Sequence, residues 1–257
     1  MREWARVTSL CVFLAACARG TVVSSPARSN QLTAAEQAAG WKSLFDGKTL
    51  NGWHGLGLTN TPRGLWVVDD GAIKHLEKGK GTLQADGQPL VGWDLISDGS
   101  YRDFELSWEW KISAAGNSGL KYNVSEELST SMAPPHAAKG WEYQMIDDEQ
   151  NEDNKLATHR SGALYDMLAA NEMKRVNPAG SWNRSTIVFR GNHGEHWLNG
   201  EKIVEFEIGT PQFDSAFAQS KYSKYPSWFP TRRTGQIVLQ DHDDVVWFRD
   251  IKIRELR

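Results

Sequence analysis

Gly140-Trp141-Glu142-Tyr143-Gln144-Met145-Ile146-Asp147-Asp148 is the stretch whose reading decides the fold. Trp141, Tyr143 and Met145 fall on one side of an extended chain, and Glu142, Gln144 and Ile146 on the other. A period of two is the signature of a β-strand. One face is greasy; the other carries a carboxylate and an amide. Antiparallel sheets often turn such a face to water. Here two acids follow at the strand end, and other predicted strands supply further polar groups. Glu142 and Gln144 are therefore read as pointing into a cleft, with an ordinary solvated sheet face as the alternative.

Working outward, the same period recurs. Phe104, Leu106, Trp108, Trp110 and Ile112 share one face of a strand. Leu120, Tyr122 and Val124 form the apolar side of another, with Lys121 and Asn123 opposite. Residues 66–73 read as strand, turn, strand; Thr82-Leu83 and 95–97 are short strand candidates. Residues 185–190 and 195–204 give hairpin strands, with Asn199-Gly200 as a tight turn. The chain closes with strands over 235–242 and 245–253. Between them, 134–140 and 149–159 read as loops, and 164–170 as a strand or one helical turn. Residues 211–233 form a long excursion with a short helix at 213–218, and long insertions of this kind tend to be functional. Residues 31–39 offer a short helix, with Thr33 as N-cap and Glu36 three residues on. Many short strands and regular turns specify an all-β two-sheet sandwich with a few short helices in loops. No internal repeat or second domain boundary interrupts it.

At 257 residues the length suits one large β domain. The net charge of −3 and the lack of a basic stripe argue against nucleic acid as a partner. Twelve Trp are enough to fill a core and still line a site, where flat rings stack on sugars. The first residues are not fold: a short basic start precedes the apolar run 7–14, too short to span a membrane. Leu14-Ala15-Ala16-Cys17 resembles a bacterial lipobox. The expectation is a signal peptide over 1–16, lipid on Cys17, a tether to residue 39 and a sandwich over 40–257. That places the protein in the cell envelope, lipid-anchored and facing the periplasm or cell surface. An ordinary signal peptide with an incidental Cys is the alternative. Either way the folded domain keeps no thiol, which excludes disulfides, cysteine nucleophiles and thiolate metal sites.

Four signals, in order, resemble the 3-keto-disaccharide hydrolase domain family: Leu44-Phe45-Asp46-Gly47-Lys48-Thr49-Leu50-Asn51-Gly52-Trp53, Gly116-Asn117-Ser118-Gly119-Leu120, Glu142-Tyr143-Gln144 and the terminal stretch 235–253. The resemblance implies a concanavalin-like jelly roll whose concave sheet forms a sugar cleft. It also implies cleavage of glycosides already oxidised at C3 of the sugar. A C3 ketone makes the C2 proton acidic, so a base can form an enolate and the C1 aglycone can leave by β-elimination; water then adds back. Such a site needs a base near C2, a positive charge or metal at the enolate oxygen, and an acid near the leaving oxygen. The paired carboxylates of ordinary glycosidases are not required.

Glu142 is the candidate base, or a ligand to a cation; a surface carboxylate paired with Lys is the plain alternative. Lys121 could pair with it or stabilise the enolate if their strands are neighbours. His242, at a strand end and on one face with Gln240, suits proton transfer or metal binding. Gln144, Gln240, Asn117, Arg249, Tyr165 and Asp147 are the candidate substrate contacts: Arg249 as a clamp on hydroxyls, Tyr165 with Asp166 as a phenol acid at the cleft mouth. No compact His-x-x-x-His spacing appears; a divalent ion held by Glu142, His242 and an Asp remains an option from distant residues. Two rivals stand beside the enzyme: a non-catalytic carbohydrate-binding surface lipoprotein and a structural lipoprotein. Fold alone does not separate them.

Overall fold

The computed structural model describes residues 1, 30–62, 64–77, 93–132, 137–226 and 229–257. Cys17 with the expected signal segment, most of the expected tether, the expected Thr82-Leu83 strand, Pro134 and His136 lie outside the described residues.

Thirteen strands are described, in two antiparallel sheets. In chain order they are β1 (Lys42–Ser43), β2 (Trp53–Gly55), β3 (Trp66–Asp69), β4 (Ala72–His75), β5 (Leu95–Tyr101), β6 (Phe104–Ile112), β7 (Asn117–Val124), β8 (Trp141–Ile146), β9 (Asn183–Arg190), β10 (His193–Leu198), β11 (Glu201–Glu207), β12 (Gly235–Leu239) and β13 (Val246–Glu255). The larger sheet runs β11-β10-β9-β6-β13-β4-β3, with β1 also paired to β13; the smaller runs β2-β5-β12-β7-β8. The short helices are α1 (Ala34–Ala38), α2 (Glu126–Ser131) and α3 (Pro211–Gln219). The all-β jelly-roll sandwich read from the sequence is the observed architecture.

The strand phases explain the layers. Phe104, Leu106, Trp108, Trp110 and Ile112 of β6 are buried, while Glu105, Glu109 and Lys111 between them are part-exposed. Each large apolar side chain so buried contributes about 2–3 kcal/mol. A one-residue slip would turn all five to water, so the register is firmly set. From the smaller sheet, Leu120 and Tyr122 of β7 and Tyr143 of β8 join the same core. Trp108 meets Tyr143 edge-on at 5.0 Å. Ser185 takes the Trp110 indole N–H at 2.8 Å and donates to the Tyr143 hydroxyl at 2.8 Å, so one buried hydroxyl links the polar tips of these two core aromatics.

The expected helices at the N-terminus and in the excursion are present, as α1 with its Thr33–Glu36 capping box and as α3 with Thr210 as N-cap. Asn199 (φ 49°) and Gly200 (φ 93°) make the expected hairpin turn. Residues 149–159 are irregular with two 3-10 turns, and 164–170 is turn rather than strand, with single bridges from Leu164 to Tyr143 and Leu168. Helix α2 carries no apolar period in sequence; Ser125 caps it by accepting from the Leu128 N–H.

The organising strand departs from simple alternation: all six residues of β8 are buried. It is the edge of the smaller sheet, yet its free edge is covered. Gln144 N–H donates to the Ala163 carbonyl, and Gly162 and Tyr165 N–H donate to the carbonyls of Gln144 and Glu142. Trp141 is closed in by Phe213 and Phe217 of α3 and by Tyr222 and Phe229 beyond it. An exposed edge invites pairing with other chains; here the loops that close it also roof the polar face.

Candidate active site

Strand register assembles the site. Lys121 on β7 lies directly opposite Glu142 on β8, and Gly119 opposite Gln144. On the other side of β7, Val238 of β12 pairs with Lys121, and Gln240 N–H donates to the Gly119 carbonyl. Residues two apart share a face, so Lys121, Gly119, Asn117, Glu142 and Gln144 crowd one surface of the smaller sheet. Gly119 leaves a dimple there. A Cβ on it would lie 2.9 Å from Glu142 Oε1 and 3.1 Å from Gln240 Oε1, so the two side chains converge above the glycine.

Glu142 is only 3 % exposed. Its Oε2 accepts from Lys221 Nζ at 3.0 Å and lies 3.9 Å from Lys121 Nζ. Burial alone would push the carboxyl pKa up, but Lys221 and Lys121, with a smaller contribution from His242, overcome it and hold Glu142 below the usual carboxylate range. Lys121 lies equally far, 3.9 Å, from Asp94 and donates to the Ala138 carbonyl. Asp94 accepts backbone N–H from Ala138 and Asp241. Burial pushes its pKa up, only partly offset by Lys121. The result is a string of two carboxylates and two ammonium groups at a sheet face, buried except at part-exposed Lys221.

Beside it opens a hollow of about 640 Å³ lined by Asn117, Asp153, Tyr165, His242 and Asp244 among others. Asn117 connects the two zones: its Oδ1 accepts from Gln144 Nε2 at 3.1 Å. The carbonyl oxygens of the Gln144 and Gln240 side chains are buried without a hydrogen-bond partner. Such acceptors favour a ligand that brings O–H groups. His242 is exposed on the rim. Tyr165 donates its hydroxyl proton to Asp153 at 2.9 Å, and Lys221 Nζ sits 4.0 Å from its ring centre. Burial and the neighbouring Asp153 and Glu142 raise the phenol pKa strongly.

Seven of the nine catalytic and binding candidates named from the sequence therefore gather at one place: Glu142, Lys121, Gln144, Gln240, Asn117, Tyr165 and His242. Two do not. Arg249 does lie opposite Phe248 on β13, but that is the outer face of the larger sheet. There its Nε donates to Glu109 at 2.8 Å and its guanidinium covers Trp182 at 3.8 Å, across the sandwich from the cleft. Asp147 has both carboxylate oxygens taken by backbone, from Ala115 at 2.8 Å and Glu149 at 3.0 Å, so it shapes the loop. Tyr165, read as a phenol acid, directs its proton at Asp153, and burial beside Asp153 and Glu142 disfavours its phenolate. As for a metal, the acid–ammonium set suits an oxyanion more than a cation. Among the described residues, the His/Asp/Glu group with closely spaced ligand atoms is His193, Glu195 and Glu205, on the outer side of β10 and β11.

Asp94 and Lys221 were not legible beforehand. Lys221 sits in the aperiodic excursion, in a 3-10 turn (Lys221–Lys224) just after α3; only the length of that insertion marked it.

The class is that of glycoside-cleaving hydrolases built on a jelly-roll sandwich. Residues 40–254 match the 3-keto-alpha-glucoside-1,2-lyase-like domain, and the chain belongs to that family. Over 236 residues, 85 % of this chain and 79 % of the relative, it is 36 % identical to a 3-keto-disaccharide hydrolase of Bacteroides thetaiotaomicron. Among solved structures it is similar to two Parabacteroides distasonis proteins described as candidate glycosyl hydrolases. The first has 33 % identity and a TM-score of 0.75, covering 90 % of this chain and all of that one. The second has 26 % identity and a TM-score of 0.60, covering 84 % and 99 %.

Proposed function

We propose that this enzyme cleaves 3-keto-glycosides by C2 proton abstraction and β-elimination, with net hydrolysis. The observation that carries the reading is the buried Glu142 carboxylate, joined to the polar hollow through Gln144 and Asn117 and held by one ammonium at 3.0 Å with a second at 3.9 Å. Glu142 takes the proton from C2 as the C2–H bond breaks, and the electron pair forms the enolate. Lys221 and Lys121 are the cations that answer charge on the C3 oxygen. As C3=O re-forms, C1=C2 forms and the C1–O bond breaks; His242 on the rim gives a proton to the leaving oxygen. Water then adds back, hydroxyl to C1 and proton to C2. Asn117, Gln144 and Gln240 accept hydroxyl hydrogens of the sugar.

The test is incubation with a 3-keto-glucoside, following the unsaturated keto sugar and the released aglycone. Glu142→Gln and His242→Ala should each lower turnover at least about tenfold with folding intact. An unoxidised glucoside should be inert, because its C2 proton is not acidic. Full activity in both variants would show that the chemistry sits elsewhere. The same reading keeps the enzyme in the cell envelope, tethered through lipid on Cys17; metabolic labelling with a fatty-acid probe, absent in Cys17→Ser, tests it.

A further inference from the structure

His159 belongs to none of the roles assigned above, yet it joins the supports of two of them. It ends a 3-10 turn (Ala157–His159) behind the hollow. Its Nδ1 lies 2.7 Å from Asp153 Oδ1 and its Nε2 3.0 Å from Asp166 Oδ1. Its ring stacks on Tyr165, with centroids 4.4 Å apart and planes 26° from parallel. Each carboxylate uses its other oxygen on the cleft wall. Asp153 Oδ2 accepts from the Tyr165 hydroxyl at 2.9 Å, and Asp166 Oδ2 from the Lys221 backbone N–H at 2.6 Å. One imidazole thus ties the anchor of the phenol to the anchor of the ammonium that grips Glu142.

A neutral imidazole has one N–H and one bare nitrogen, so it cannot donate to two carboxylates at once. Both contacts are hydrogen bonds only when both nitrogens are protonated. Burial works against that charge, but Asp166 and Asp153 outweigh it and hold the His159 pKa above the ordinary imidazole value. The groups facing the ring are Asp153 from the preceding 3-10 turn, and Asp166 and the uncharged Tyr165 from the turn after it. Lys221 reaches the same tyrosine from the excursion. Asp166 also holds φ 61°, a left-handed conformation that Asp and Asn adopt more readily than other non-glycine residues.

We propose that His159, as an imidazolium bridging Asp153 and Asp166, is the positioning residue that fixes Tyr165 and Lys221 against Glu142. The inference rests on the assignment of Glu142 and Lys221 to the reacting hollow and adds to it a pH-sensitive support. A histidine whose pKa is raised by folding contributes fully below the unfolded value of 6.5, and its contribution is lost as pH rises through the higher folded value. The wall is tied on the acid side and released on the alkaline side.

The experiment uses the full chain and two NMR readouts across pH: the ¹⁵N resonances of the His159 imidazole, and the hydrogen-exchange protection factor of the Lys221 amide. In the wild type both ring nitrogens should be protonated at pH 6, and Lys221 protection should fall at least about tenfold across the His159 midpoint. His159→Gln, which donates from one end only, should show low protection at every pH and no midpoint. Asp166→Asn tolerates the left-handed backbone, so it keeps the question answerable if the first variant folds poorly. It should lower the His159 midpoint by about one pH unit. Lys221 protection that ignores pH in the wild type, or a His159 midpoint unmoved in Asp166→Asn, overturns the bridge. With a 3-keto-glucoside, wild-type kcat should decline across the same midpoint and His159→Gln should lose that component; any decline left in the variant belongs to the proton donor His242. A wild type inert toward the ketosugar overturns the reaction instead, and the exchange data still decide the positioning role.

Discussion

Gly119→Ala changes no functional group, yet it should disable the site. Gly119 has ordinary strand backbone, so alanine is conformationally acceptable there. The added Cβ would meet Glu142 Oε1 at 2.9 Å, Glu142 Cγ at 3.0 Å and Gln240 Oε1 at 3.1 Å. Ordinary contact begins near 3.4 Å, so the carboxylate must retreat by roughly 0.5 Å and the amide by somewhat less. Both are ends of flexible side chains, so the fold should survive. Glycine-to-alanine replacement on compatible backbone also stabilises by about 0.4–1 kcal/mol through the unfolded chain, which offsets part of the crowding. The melting temperature should therefore move by less than about 4 °C. Catalysis is less forgiving, since a misplacement of about 1 Å costs on the order of 100-fold, and half that should cost about tenfold or more. The assay is kcat on a 3-keto-glucoside beside a thermal melt. A variant that melts normally and keeps kcat within about twofold of wild type would refute the placement of the reacting carboxylate above Gly119.

Lowering the pH should protonate Glu142 only below its ordinary value of 4.5, because Lys221 and Lys121 hold it down against burial. Its contribution is present above 4.5 and lost as pH falls through the lower folded value, so a kcat/KM profile with an acid midpoint above 4.5 would count against it as the base. His196 is buried and neutral, with desolvation lowering its pKa to about 4 and the Gly162 carbonyl only partly opposing. Between pH 6.5 and 4 the unfolded chain binds a proton that the folded one does not. That costs about 3 kcal/mol of stability, and urea titrations of His196→Phe against wild type should show the acid decline flattened. Arg249→Met should leave kcat and KM unchanged and cost under about 1 kcal/mol in a melt, because its partner Glu109 is on the part-exposed outer face. A tenfold loss of turnover there would restore it to the site.

The sequence by itself determined the layers and the line-up of the site strand. Period-two alternation at 104–112 and 120–124 settled which side chains meet in the core, because burying five large apolar groups leaves one register available. It also put Glu142 and Gln144 on one face, and Lys121 on the polar face of another strand, since side-chain direction follows from local backbone alone. What only the tertiary structure decided is which polar faces look at each other. Arg249 and Lys121 read alike, each a cation on the polar side of a strand, but one strand belongs to the larger sheet and turns its cation outward. Lys221 carried no pattern at all: it reaches Glu142 because α3 and the turns around it close over the sheet edge. Strand pairing and loop closure join residues distant in the chain, and those long-range contacts leave no period in the sequence to be read.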